Sequence, residues 1–136
     1  MLRWLNFSLA VVGILIAAVS TASAQSFIGT WQTQWTDPPD PPKNSRIIVM
    51  ADDEQGKLDG TIIGKGWNGL MYGTLSSDGR TWKGNTCVPD GEWKCVHGPF
   101  EITLNPDNKS FKGTWDQVGR PNQTGTKRTW MGTKVP

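Results

Sequence analysis

The sequence predicts an all-β chain, a single small antiparallel eight-stranded up-and-down β-barrel, and three observations carry that expectation. Gly-Thr pairs recur inside short apolar stretches, at Gly29-Thr30, Gly60-Thr61, Gly73-Thr74, Gly113-Thr114 and Gly132-Thr133. Two of them lie in a repeated phrase, Phe27-Ile28-Gly29-Thr30-Trp31 and Phe111-Lys112-Gly113-Thr114-Trp115. There Phe, Gly and Trp are spaced by two, so the three positions share one face of a strand. Beyond residue 24 no segment sustains a helical apolar period, and turn residues interrupt the chain about every dozen positions.

Residues 1–24 stand apart from the fold. Arg3, the apolar run from Leu9 to Val19 and the small-residue site Ala22-Ser23-Ala24 read as a secretory signal peptide. The mature chain is expected to begin at Gln25 and to form one barrel domain over residues 25–136, secreted or periplasmic. The apolar run is shorter than the roughly 20 residues that a spanning helix needs, and no later stretch is a candidate membrane span.

The strands follow in order. The first runs from Phe27 to Thr36, with Phe27, Gly29, Trp31, Thr33 and Trp35 on one side. After the stiff segment Asp37 to Pro42 comes Ser45 to Ala51, and the turn Asp52 to Gly56 leads into Lys57 to Ile63. Leu70 to Ser76, Arg80 to Thr86, Gly98 to Leu104, Ser110 to Asp116 and Lys127 to Lys134 complete the set. Short turns at Ser77-Asp78-Gly79 and Asn105-Pro106-Asp107-Asn108 join only antiparallel neighbours, which makes the economical topology a meander. Strands of similar length, each with one apolar face, lose their exposed edges by closing. The face holding Trp82 and Gly84, Phe111 and Gly113, and Trp130 and Gly132 is expected to point inward, the glycines letting curved strands bend. Threonine in the opposite phase suits the wet outer surface. An open β-sandwich satisfies the same pattern and is the alternative.

Cys87 and Cys95 flank Val-Pro-Asp-Gly-Glu-Trp-Lys, and in an exported chain they are expected to form a disulfide. Pro89-Asp90-Gly91 is strong turn chemistry. A three-residue hairpin built on it would set Cys87 opposite Trp93, so the bridge calls for a wider loop or a bulge.

Composition excludes several functions. The chain carries 14 Lys and Arg against 12 Asp and Glu, interspersed along its length, whereas nucleic-acid binders gather a basic excess on one face. Gly64-Lys65-Gly66-Trp67-Asn68-Gly69 spells Gly-x-Gly-x-x-Gly, but a strand pattern follows it instead of the helix whose N-terminus would meet a pyrophosphate. No metal, cofactor or catalytic residue is assigned. His97 is the one histidine and no serine motif accompanies it. The adjacent carboxylates Asp52, Asp53 and Glu54 cannot all converge on a cation. Asp59, Glu101 and Asp116 fall in the solvent-facing phase of their strands, where a carboxylate pair would not share a cleft. Asn108-Lys109-Ser110 and Asn122-Gln123-Thr124 are sequons for N-glycosylation where the source glycosylates its exports.

Gly29-Thr30-Trp31 on the first strand, Phe111 to Trp115 on the seventh and Trp130 on the last resemble the framework of the calycin-type barrels, the avidin and lipocalin families. The resemblance implies an eight-stranded meander that holds one small ligand at its mouth. It also implies a cation stacked on Trp31, with Arg128 near the last-strand position that would supply it. Where avidins place their biotin-gripping residues this chain has Gln32, Thr33 and Asp37-Pro38-Pro39, and the Thr-Asp-Tyr motif of lipocalins has no match, so only the framework carries over.

Tryptophan carries the functional expectation. Seven of the eight tryptophans lie beyond residue 24, more ring than a barrel of this size needs for filling. Trp31, Trp82, Trp115 and Trp130 are candidates both for core filling and for ligand contact. Trp67, placed in a loop, and Trp35, beside the proline segment, are candidates for ligand contact, as is Tyr72. With no inward titratable group expected, the reading is a non-catalytic binding barrel. It holds a small molecule or carbohydrate against Trp31, Trp35, Trp67, Tyr72, Trp82, Trp115 and Trp130 at one open end. A protein-binding or inhibitor barrel, using Trp67, Trp93 and the Asp37 to Pro42 segment as its contact patch, is the alternative, and a small barrel-type enzyme is a third class.

Overall fold

The structure, a computed structural model, describes residues 26–89, 92, 94–118 and 125–136. The signal-peptide segment, the Asp90-Gly91 turn, Trp93 and the Asn122 sequon lie outside the described residues. Eight strands follow one another: β1 (Gly29–Trp35), β2 (Lys43–Ala51), β3 (Lys57–Gly64), β4 (Trp67–Leu75), β5 (Thr81–Pro89), β6 (Cys95–Leu104), β7 (Ser110–Trp115) and β8 (Thr129–Lys134). Each pairs antiparallel with the next, and β8 returns to pair with β1, so the sheet is a closed barrel in plain meander order. The predicted fold class holds, and the sandwich alternative does not.

The predicted phase holds on most strands. Trp31, Ile47, Leu58, Met71, Trp82, Phe100, Phe111 and Trp130 are buried, while their chain neighbours face out or lie part-buried. On the wall between β4 and β5 glycine is required by space: Gly73 and Gly84 are register partners, and a Cβ on Gly84 would run into the Tyr72 carbonyl. Boundaries moved by a few residues at the β3–β4 turn. β4 starts at Trp67, directly opposite Gly64, and leaves only Lys65 and Gly66 as the turn, with Gly66 at φ +80°. Trp67 is therefore a strand residue with its ring laid over Gly64, not a loop residue as expected.

The two ends of the barrel are built differently. At one end the turns 52–56, 76–80 and 105–109 are each organised by an aspartate. Asp52, Asp78 and Asp107 accept the backbone N–H groups of Glu54, Arg80 and Lys109 at 2.8, 3.0 and 2.9 Å. The Arg80 guanidinium ties two of these turns together through Asn108 and the carbonyls of Leu104 and Asn105. Phe27, helical together with Ser26, plugs this end at 0% exposure. Its carbonyl accepts the Trp31 indole N–H at 2.8 Å. At the other end β1, β3, β5 and β7 finish and β2, β4, β6 and β8 start, and here the barrel opens.

Candidate functional site

A chain of aromatic rings runs along the barrel interior. Phe111 meets Trp31 at 5.2 Å, Trp31 meets Phe27 at 6.4 Å, Phe27 meets Trp82 at 6.2 Å, Trp82 meets Phe100 at 5.0 Å, and Phe100 meets Trp130 at 6.3 Å. Most of these pairs are tilted or edge-to-face, the arrangement favoured by the ring quadrupole. The chain fills the closed half. At Trp130 it reaches a cavity of about 440 Å³ at the open end, lined by Trp35, Trp67, Trp115 and Trp130 with Ile62 and Val88.

Each of the four tryptophans is brought there by position along its strand. Trp35 ends β1, Trp67 starts β4, Trp115 ends β7 and Trp130 follows the first residue of β8. In a meander barrel the ends of odd strands and the starts of even ones meet at the same rim, so inward residues at those positions converge. Trp35 and Trp115 pack edge-to-face at 5.2 Å, and the Trp115 indole donates to the Thr36 carbonyl at 3.1 Å.

The remaining candidates lie elsewhere. Trp31 and Trp82 are fully buried in the closed half and are not among the residues lining the cavity. Tyr72 faces out of the wall, 42% exposed, because Met71 and Gly73 take the inward phase of β4. Its hydroxyl lies 3.3 Å from His97 Nδ1 on the outer surface.

One expectation about charge is corrected. The cation over Trp31 is Lys134, whose Nζ lies 5.5 Å from the ring centroid and donates to the Ser26 carbonyl at 3.0 Å. Trp31 and Lys134 are register partners, whereas β8 runs antiparallel to β1 and puts Arg128 at the opposite end. Arg128 instead stacks on Trp115 at 5.1 Å. It is also buried, at 7% exposure. Its Nε donates to Asp37 at 2.8 Å and its Nη1 to Asp116 at 2.6 Å. Burial works against the charge on Arg128, but the hydrogen bonds and charges of the two carboxylates outweigh it and hold the guanidinium above its ordinary pKa. Asp116 lies exposed at the rim, as its solvent-facing phase predicts, with one carboxylate oxygen held by Arg128.

The polar lining of the cavity was missed at the sequence level. Ser45 and Thr86 are buried, on the inward phases of β2 and β5. Thr33 Oγ1 donates to the Ser45 carbonyl at 3.1 Å and contacts Ser45 Oγ at 2.7 Å, and Thr86 Oγ1 donates to the Gly98 carbonyl at 3.2 Å. Parity alone was the available signal. Ser45 is two residues from Ile47 and Thr86 two from Gly84.

The disulfide joins the outer wall at this rim. Pro89 pairs with Cys95 and Cys87 with His97, so the bridge runs diagonally between β5 and β6, with the Cα atoms 5.0 Å apart. Val88 and Val96, between the two cysteines in register, line the cavity. Among the described residues no group of His, Cys, Asp and Glu is arranged to hold a metal ion, and no helix is long and apolar enough to cross a membrane.

No protein-family model and no curated protein matches the chain. Solved structures do match. A redesigned beta barrel superposes with a TM-score of 0.67 at 18% identity, covering 84% of this chain and 96% of its own. The redesigned barrel mFAP1, bound to DFHBI, gives 0.65 at 19% identity over 82% of this chain and 98% of its own. mFAP0, also bound to DFHBI, gives 0.62 at 17% over 81% and 100%. At these identities the likeness establishes the architecture, an eight-stranded antiparallel barrel closed by pairing of its first and last strands.

Proposed function

We propose that this protein is a non-catalytic binding barrel that holds one small ligand in the open-end cavity, against Trp35, Trp67, Trp115 and Trp130. The observation that carries the reading is the cavity itself, about 440 Å³ and lined by four indoles together with polar and charged side chains, within the range of small-molecule sites. The designed barrels mFAP1 and mFAP0 support it, since a barrel of this architecture holds the small ligand DFHBI in each. A binder is favoured over an enzyme because Arg128 is engaged with two carboxylates and the hydroxyls of Thr33 and Thr86 with backbone carbonyls. Export belongs to the same proposal, and the Cys87–Cys95 bridge supports it.

Titration of the protein with a panel of aryl compounds, sugars, vitamins and lipids, followed by tryptophan emission and melting temperature, tests the reading. At least one member of the panel is expected to shift both. A panel that leaves both unchanged removes the small-ligand function and turns attention to partners for the loops.

A further inference from the structure

We infer that the cavity takes a neutral saccharide, with the C–H face of one pyranose ring stacked on the indole of Trp67 and its hydroxyls directed to hydrogen-bond acceptors at the mouth. The inference rests on the binding reading above and specifies its ligand.

The seat of Trp67 is the starting point. Gly64 and Trp67 are register partners, and both stand on the inward phase of their strands. A Cβ on Gly64 would come nearest to Cε2 of the indole, ahead of Cζ2 and Nε1 on either side of it. Cε2 is a ring-fusion carbon, so only an approach to the face reaches it before both of those neighbours. The indole therefore lies flat on the wall over Gly64, and because Trp67 lines the cavity its other face is turned to the open space. The other mouth indoles are already used. Lys43 lies 5.1 Å from the centroid of Trp35, Arg128 lies 5.1 Å from that of Trp115, and Trp130 is 4% exposed.

The polar lining sets the complementary pattern. Thr33 has one hydroxyl hydrogen and directs it to the Ser45 carbonyl, so in the 2.7 Å contact Ser45 Oγ is the donor to Thr33 Oγ1. Thr86 directs its hydrogen to the Gly98 carbonyl. Both cavity-lining hydroxyls thus retain only lone pairs. Asp37 and Asp116 also line the cavity, and each engages Arg128 through Oδ1 alone, so Oδ2 of each has no hydrogen bond from the described residues. Four acceptors face one pure donor, Lys43, while the Gln117 amide serves either way. His97 adds nothing to this count, since its ring is on the outer surface against Tyr72. A ligand rich in O–H groups matches the set.

Charge and polarity remove the other classes. A cationic ligand would compete with Lys43 and Arg128, which already cover two indoles, and with Arg128 for both carboxylates. An anion would meet Asp37 and Asp116 at the mouth, and the charge of Lys43 is answered by Asp40. A flat hydrocarbon would strip water from Asp37, Lys43, Asp116 and Gln117 and return no hydrogen bond. A pyranose with equatorial hydroxyls meets both needs: its axial C–H groups form an apolar face for the indole, and hydroxyls that donate and accept ring its edge.

Methyl β-D-glycosides of glucose, galactose and N-acetylglucosamine test this at neutral pH. They are compared with the uronides and the 6-amino-6-deoxy derivatives of the first two, which place a carboxylate or an ammonium on the same frame, and with naphthalene, which has rings and no hydroxyl. At least one neutral glycoside is expected to bind about tenfold or more tightly than its charged derivatives and than naphthalene, the ratio that one net hydrogen bond supplies. In the unmutated protein it is expected to move the Trp67 indole N–H resonance. Trp67→Ala and Gly64→Ala are each expected to weaken it about tenfold, the first by removing the platform and the second by lifting it off its seat, while Trp67→Phe keeps part of the affinity. Tightest binding of a charged derivative or of naphthalene overturns the inference and leaves the binding function standing. Failure of all these probes while another panel compound binds does the same. A neutral glycoside that binds without moving the Trp67 resonance, and equally well to both alanine variants, also overturns it. If no compound of either set binds, the inference and the function fall together.

Discussion

The closed and open halves of this barrel use the same residue types to opposite ends. In the closed half Phe27, Trp31, Trp82 and Phe111 interlock, each at most 2% exposed, and the turns are locked by aspartates. In the open half Trp35, Trp67 and Trp115 are only partly buried, and space remains among them. The plug makes the difference. Phe27 folds back under Trp31 and completes the packing at one end, while no side chain of the described residues occupies the corresponding position at the other. A tryptophan in this fold is thus a filler or a lining group according to its distance from the plug, not according to its local motif: Trp31 and Trp115 end the same repeated phrase and do different jobs.

The comparison can be broken most severely from the closed side. Trp82→Ala removes a fully buried ring that touches both Phe27 and Phe100, and the lost burial together with the void left behind is expected to cost about 3–5 kcal/mol, read by urea unfolding. A loss below about 1 kcal/mol would mean that the closed half is as loosely filled as the mouth.

Replacing both cysteines by serine acts next, at the open rim. The bridge closes a short loop, with a sequence separation of 8, and its removal is expected to cost roughly 2–3 kcal/mol. Because Val88 and Val96 line the cavity, ligand affinity should fall as well, which titration after reduction would reveal.

Trp67→Ala is expected to be smaller still in stability, about 1 kcal/mol or less, since the ring is only partly buried over Gly64. Its effect on binding should be the larger one, about tenfold weaker for a stacked ligand. Equal losses in stability and affinity would show that Trp67 is structural filling like Trp82.

The smallest effect concerns the turns of the closed end. The Asp78 carboxyl is held below its ordinary value of 3.8 chiefly by the Ser76 hydroxyl, and Asp107 chiefly by the Lys109 backbone N–H. A lowered folded-state pKa favours the ionised native form, so the contribution is present above pH 3.8 and is lost as pH falls through the lower folded values. The D78N/D107N double variant should therefore lose stability less steeply with acid below pH 3.8, with ligand affinity at neutral pH unchanged.

Much of the barrel was legible in the chain because period-two patterning is local physics. Gly-x-Trp, Trp82 with Gly84 and Trp130 with Gly132 place ring and gap on one face whatever the rest of the molecule does. Short turns rich in aspartate, asparagine and glycine admit only antiparallel neighbours, so the meander follows. The site was half legible. Trp35, Trp67, Trp115 and Trp130 were among the expected contacts, but Tyr72 was grouped with them although its parity on β4 points it outward. Ser45 and Thr86 were passed over because small polar residues in a strand look the same facing water as facing a cavity.

By itself the sequence determined which side of each strand is apolar and which residues turn the chain, since alternation and backbone preference act within a few residues. Tertiary structure alone decided which end is plugged and that Lys134, not Arg128, covers Trp31. It also decided that the Trp130 N–H is buried without a partner among the described residues. Those outcomes depend on the register between β1 and β8, strands joined only by closure of the sheet and separated by nearly the whole chain, where no local pattern reaches.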